Sequence, residues 1–340
     1  MFFKKVACFT DIHFGMKGNS RVHNDDCEAF IYWFIEQAKA NGCETCIFLG
    51  DWHHHRSATN VSTMNYTVSN MERLGAAFEK VYVIMGNHDL YYREKREINS
   101  MEYIRNIPNI HLVNEWLVED DVAIIPWIVE DEWKKIEQMK QKYVFGHFEL
   151  PYFKMNAMVE MPDVGGIKTD HFGNCGMVFS GHFHKRQQIK NVTYMGNAFP
   201  HNYADAWDDD RGMMILEYGG QPKYINWPDM PRYVTIKISQ LLEDPEKILK
   251  SKMYVRCTLD IKISYEEANF IRETFIEKYQ LRELQLIPEQ VEQAQQPTVA
   301  VQKFDSVDQI VIKQLQGVDS ETYDKNILTA IYSDLDVTSQ

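Results

Sequence analysis

The sequence predicts an α/β protein in which a sheet covered by helices carries its functional groups at strand carboxyl ends, followed by a smaller α/β unit. Three observations predict this. Apolar runs of strand length alternate with segments of helical period over the first two thirds of the chain. Five of those runs end in Asp, His or Asn. The rhythm changes after residue ~230.

The elements follow in order. KKVACFT is a short apolar run ending in the polar DIH. Residues 25–40, DDCEAFIYWFIEQAKA, have helical character. Asp25 and Glu28 have capping-box spacing there, and Asn41-Gly42 is a stop signal. CIFLGD is a buried strand ending in an acid. VSTMNYTVSNMERLG places Val61, Met64, Val68 and Met71 on one helical face. KVYVIMGNHD, YVFGHFE and MVFSGHFH repeat the pattern of an apolar strand with a polar end. In the later unit KMYVRCTLDIKI reads as a strand. Ser264 and Glu267 form a capping box that opens a helix ending near Gln280, and LRELQLI reads as a further strand. PEQVEQAQQPTVAVQ has linker composition. Two short amphipathic patterns flank Gly317, each too short to be stable without a surface to bury against. The expected organisation is therefore 1–230, a small α/β cap at 231–287, a linker at 288–303 and a helical segment at 304–340.

The totals bound the function. A chain of 340 residues suits two or three units, and 44% apolar with 25% charged residues is an ordinary globular composition. No apolar stretch is long enough to span a bilayer. MFFKKVACFTDIHFG reads as a strand and not as a signal peptide. Six dispersed cysteines suit reduced thiols in a cytosol. Cys43 and Cys46 form a C-x-x-C with no second pair to complete a zinc site, so they read as strand-packing residues. A net charge of −13 taken alone argues against nucleic acid, although bound cations or a partner subunit can supply positive charge locally.

The chemistry gathers at the five strand ends: Asp11 and His13, Asp51, Asn87 and His88, His147, and His182 and His184. They supply imidazole, carboxylate and amide groups, a mixture suited to divalent transition metals such as manganese, iron or zinc. No cysteine sits at these ends, unlike a structural zinc site. D-x-H and H-x-H send paired side chains to one face of an extended segment. Four of the ends carry glycine before the polar residue, which favours a sharp turn at a ligand. A carboxylate can bridge two cations that clamp a phosphoryl group. Asp51 opens the unusual run DWHHHR.

The order DIH, GD, GNHD, GH, GHFH resembles the calcineurin-like metallophosphoesterase superfamily over roughly residues 1–220. The stretch YMGNA at 194–198 and Arg211-Gly212 are similar to SbcD-type DNA repair nucleases, tailed-phage recombination nucleases among them. The resemblance implies a four-layer α/β/β/α sandwich with a small capping domain and C-terminal helices. It implies two divalent ions, with Mn²⁺ favoured and Mg²⁺, Fe or Zn also compatible. Asp11, His13, Asp51 and His184 would hold one, and Asp51, Asn87, His147 and His182 the other. His88 matches the family's catalytic histidine, and His54 a substrate-side histidine, with His53 and His55 expected in solvent. The implied activity is exonuclease and endonuclease action on DNA double-strand ends in recombination and repair, in the cytoplasm of a host if the chain is phage-encoded. The implied partners are an SbcC-type coiled-coil ATPase docking on 304–340 and a second copy meeting it through the helix at 60–75. A small-molecule or protein phosphatase, or a scaffold without catalysis, is the alternative reading.

Overall fold

The structure is a computed structural model that describes residues 1–155 and 159–288. The expected linker beyond Pro288 and the helical segment at 304–340 lie outside the described residues. Two six-stranded sheets face each other. The first runs in the order Lys223–Asn226, Gly212–Glu217, Lys5–Phe9, Thr45–Phe48, Lys80–Ile84, Ile110–Val113. Its last four strands are mutually parallel. The second runs Gln187–Ile189, Val192–Tyr194, Met177–Gly181, Tyr143–His147, Val122–Ile125, Leu117–Glu119, with a parallel centre and antiparallel edges.

Side-chain alternation sorts the layers. Val6 and Cys8 join Ile47, Ile84, Phe145 and Phe179 between the sheets. Ala7 and Phe9 point the other way, onto Phe30 and Phe34 of helix Arg21–Ala40 and into a core shared with Met71 and Leu74 of helix Val61–Ala77. The outer face of the second sheet is covered by short 3₁₀ turns, Glu132–Gln138 and Thr169–Phe172, through Ile136 and Phe172. Because parallel strands point their carboxyl ends the same way, the polar ends of both sheets meet at one rim.

One expectation about helices is corrected. The first helix begins at Arg21, four residues before the expected start, and Asp25 caps nothing. Its extra turn is used: His23 Nε2 lies 3.0 Å from the His13 carbonyl, and Asn24 Oδ1 accepts the Gly15 N–H at 2.9 Å. In helix Val61–Ala77 the buried face is Thr63, Thr67, Asn70, Met71 and Leu74. Along the Val/Met stripe Val61 is 82% exposed, Met64 and Val68 are half-buried and Met71 lies in the core. Polar Thr63 is buried because Asn24 donates to its hydroxyl.

The later segment forms a three-stranded parallel sheet, Arg232–Lys237, Met253–Leu259 and Glu283–Pro288, with a core of its own around Val234, Leu241, Val255 and Leu284. Helix Tyr265–Tyr279 opens with the expected capping box: Glu267 N–H donates to Ser264 Oγ at 3.1 Å and Ser264 N–H to Glu267 Oε2 at 2.8 Å. Arg282 joins this sheet to the first helix through a two-pronged ion pair with Asp26.

Candidate metal centre

The rim brings all the singled-out residues together. Asp51 stands at the middle. One of its carboxylate oxygens, Oδ2, is 3.6 Å from His13 Nε2 and 3.5 Å from His147 Nε2. The other, Oδ1, accepts the His88 N–H at 2.8 Å. On one side His13 Nε2 lies 3.9 Å from Asp11 Oδ1 and 3.3 Å from His184 Nε2. On the other, Asn87 Oδ1 is 3.2 Å from His147 Nε2 and 2.9 Å from His182 Nδ1.

Convergence does not arise from strand alternation, as the D-x-H and H-x-H spacings suggested. Strand Lys5–Phe9 ends before Asp11, and Met177–Gly181 before His182. The ligand-type residues sit in turns with positive φ: Asp11 at 51°, His13 at 52°, Asp51 at 63° and His182 at 91°. Asp and His tolerate the left-handed region better than most residues, and such conformations gather at functional sites. Glycine serves closeness more than turning. A Cβ on Gly86 would collide with the Asp51 carboxylate, and one on Gly181 with Thr10, the Leu49 carbonyl and the His147 ring.

The supporting contacts explain the rigidity. Asp89 is fully buried and accepts four backbone N–H groups, from Asp51 and Gly86 at 2.9 Å, Trp52 at 3.0 Å and His53 at 3.1 Å. Burial, reinforced by the Asp51 charge, pushes its pKa up to about 7. His147 Nδ1 donates to the Leu49 carbonyl at 2.7 Å, which leaves Nε2 for the site. Burial works against a charged His147, but the Asp51 carboxylate outweighs it and holds the pKa at about 9. His182 Nε2 is bonded to Glu149 Oε2 at 3.0 Å, so Nδ1 faces Asn87. That bond, with Arg93 beside it, brings Glu149 down to about 2. Burial keeps His13 and His182 below the usual histidine range, hence neutral with lone pairs available.

The histidine run resolves into three environments. His54 lies at the site, its ring stacked on His88 with centroids 5.4 Å apart and planes 14° apart. Burial lowers it to about 4. His53 was expected in solvent; it is only 2% exposed. Its N–H is held by Asp89 and its Nδ1 meets Ser100 Oγ at 2.8 Å, so the ring is drawn inward beside Tyr103. His55 is exposed.

Sequence reasoning missed Glu149, Asp89's role, His23 and His201. Glu149 had a signal, since it stands two residues from His147. The donor set fits divalent cations: carboxylates and imidazoles face one another, with His13 Nε2 and His184 Nε2 only 3.3 Å apart and the Asp51 carboxylate beside them. Asp11, His13 and Asp51 form one group whose ligand atoms lie within 4.8 Å of one another; Asp51, His147 and His182 form another. The six cysteines are buried and free, Cys43 and Cys46 included. Among the described residues no helix is long and apolar enough to cross a membrane.

The model of the calcineurin-like phosphoesterase family matches residues 4–186, more than half of the chain. Exonuclease subunit 1 of Enterobacteria phage T4 is 28% identical over 222 residues, covering 63% of this chain and 64% of the phage protein. The chain thus matches a little under two thirds of that relative's length. Among solved structures, the nuclease MPE of Pseudomonas putida is 16% identical, with 63% of this chain and 84% of that one covered and a TM-score of 0.32. A dimetal phosphatase from Danio rerio is 11% identical, with 63% and 92% covered and a TM-score of 0.39. The family match encloses every one of the five strand ends, and the chain belongs to the calcineurin-like phosphoesterases, metal-dependent enzymes that cleave phosphate esters.

Proposed function

We propose that the chain is the nuclease subunit of a complex that processes double-strand DNA ends in recombination and repair, hydrolysing phosphodiesters with two divalent ions, Mn²⁺ by preference. The observation that carries the reading is the position of Asp51 Oδ2 between two clusters, 3.6 Å from His13 and 3.5 Å from His147. Asp11, His13, Asp51 and His184 would hold one ion, and Asp51, Asn87, His147 and His182 the other. When bound, such a pair supplies a nucleophile from water near neutral pH and offsets charge on the phosphoryl oxygens.

The chain's own groups do the rest. His88 donates from Nδ1 to the His54 carbonyl at 2.7 Å, which leaves Nε2 to meet a phosphate or the departing oxygen. The stacked His54 ring limits how His88 can rotate. Asp89 fixes the loop that carries Asp51. Glu149 fixes which nitrogen of His182 faces the site.

The DNA substrate is supported by the likeness to a phage exonuclease subunit. That name also supports a complex, and we assign the partner as an SbcC-type coiled-coil ATPase docking on residues 304–340. The ATPase would bring the basic surface that a chain of net charge −13 lacks. A second copy would meet the exposed Val61 edge of helix Val61–Ala77, beside half-buried Met64 and Val68. The site of action would be the cytoplasm, that of the host for a phage-encoded chain.

The test is digestion of an end-labelled duplex in Mn²⁺, with a chromogenic phosphodiester in parallel. Metal-dependent shortening of the duplex supports the reading. If the complex with its ATPase leaves DNA intact while the small ester is hydrolysed, the substrate is a small molecule and the nuclease reading falls.

A further inference from the structure

His201 lies beyond the residues matched by the family model and outside the five strand ends. Its side chain is fully buried, yet neither Nδ1 nor Nε2 has a hydrogen-bond partner. A buried imidazole left in that state costs free energy, so a satisfied partner is expected. The ring faces the first cluster. Its centroid is 5.3 Å from that of His184 and 5.5 Å from that of His13, with planes 84° and 83° apart. One ring nitrogen from each of His13, His184 and His201 lies within 4.8 Å of the others.

The loop holding it is built to stay in place. The His201 N–H donates to Asp205 Oδ2 at 2.9 Å. Asp205 is paired with Arg211 at 3.2 Å, and Arg211 with Asp208 at 2.9 Å. Arg211 is 1% exposed. A fixed, desolvated imidazole with free nitrogens beside two others is a ligand arrangement, not a packing accident.

We infer that His201 is a further metal ligand, giving the first site a three-imidazole face with His13 and His184. The inference rests on the dimetal reading above. It makes the two sites chemically unequal. The first gains a third nitrogen beside Asp11 and Asp51, while the second has two imidazoles, an amide and the shared carboxylate. Imidazole favours zinc, iron and their neighbours, whereas oxygen donors favour manganese and magnesium. The first site would therefore select the more nitrogen-loving ion, and a mixed-metal centre is the expected resting state under competition.

The experiment is metal titration of the metal-free full-length chain and its His201→Ala and His201→Gln variants. Co²⁺ binding is followed by calorimetry and visible absorption, and Mn²⁺ binding by electron paramagnetic resonance. The wild type should bind two Co²⁺. Both variants should weaken one Co²⁺ site about tenfold or more, alter its absorption bands, and change Mn²⁺ affinity far less. Unchanged Co²⁺ affinity and bands in the variants overturn the inference and leave the dimetal reading standing. A wild type that binds fewer than two ions, with Asp51→Asn no different from it, overturns the dimetal reading itself. X-ray absorption of the wild type with one equivalent of Co²⁺ needs no variant: three coordinated imidazoles support the assignment, and two or fewer overturn it.

Discussion

Asp89 lies directly beneath Asp51 and accepts its backbone N–H at 2.9 Å, so the central carboxylate of the site is held by a second carboxylate that never reaches it from the front. Three more amides converge on the same Asp89 side chain. Replacing it with Asn leaves an amide N–H₂ pointing at backbone donors. Asp89→Asn should lower stability by about 2–4 kcal/mol, since it removes one of the two acceptor oxygens and leaves buried backbone donors unpaired. Urea midpoints measure this, and a shift below about 1 kcal/mol would refute the assigned role.

The His88 backbone N–H donates to Asp51 Oδ1, and its side chain is assigned a chemical rather than a ligand role. His88→Ala should therefore leave the binding of two metal ions intact while lowering turnover by about 10²–10⁴-fold, the usual contribution of a positioned acid or base. Calorimetry and single-turnover kinetics on one preparation separate the two effects. Loss of metal in this variant would mean that His88 is a ligand.

Glu149→Gln keeps the volume but lets the side chain flip, so the ring of His182 loses its fixed orientation. Affinity at one of the two metal positions should fall about 10–100-fold, as for other residues that orient a ligand. A metal titration that shows two unchanged sites would exclude this role.

The metal-free protein should be pH-sensitive through His147. Its folded pKa of about 9 lies above the ordinary 6.5 because the Asp51 carboxylate outweighs burial. A raised histidine pKa stabilises the fold fully below pH ~6.5, and that contribution is lost as pH rises through about 9. Metal binding must displace the same proton. Thermal unfolding of the metal-free chain should therefore weaken between pH 6.5 and 9. Calorimetry at pH 7.5 in buffers of different ionisation heat should show proton release on Mn²⁺ binding, and His147→Gln should abolish much of both effects.

The five strand ends were legible because each joins a short continuous apolar run to a polar terminus, a local signal. So was the Ser264 capping box, whose two partners stand three positions apart. What was not legible depends on folding at a distance. Asp89 acts through backbone amides that any residue supplies. His201 belongs to a loop with no period, placed by a buried Arg211 whose partners are two of the four acids in DAWDDDR. The start of the first helix was misplaced because His23 and Asn24, polar in sequence, are buried against the His13 turn. His53 looked like surface for the same reason: its hydrogen bonds come from residues 36 and 47 positions away.

The donors of the site are divided between the two facing sheets. Asp11, His13, Asp51 and Asn87 follow strands of the first, and His147, His182 and His184 those of the second. Between the sheets lies an apolar layer that no disulfide crosses among the described residues. Whatever occupies the centre therefore acts as a rivet through two plates. Its strength should be readable mechanically: pulling the chain with optical tweezers across residues 47 and 145, one from each sheet, should need more force with Mn²⁺ than after chelation, and pulling within one sheet should not.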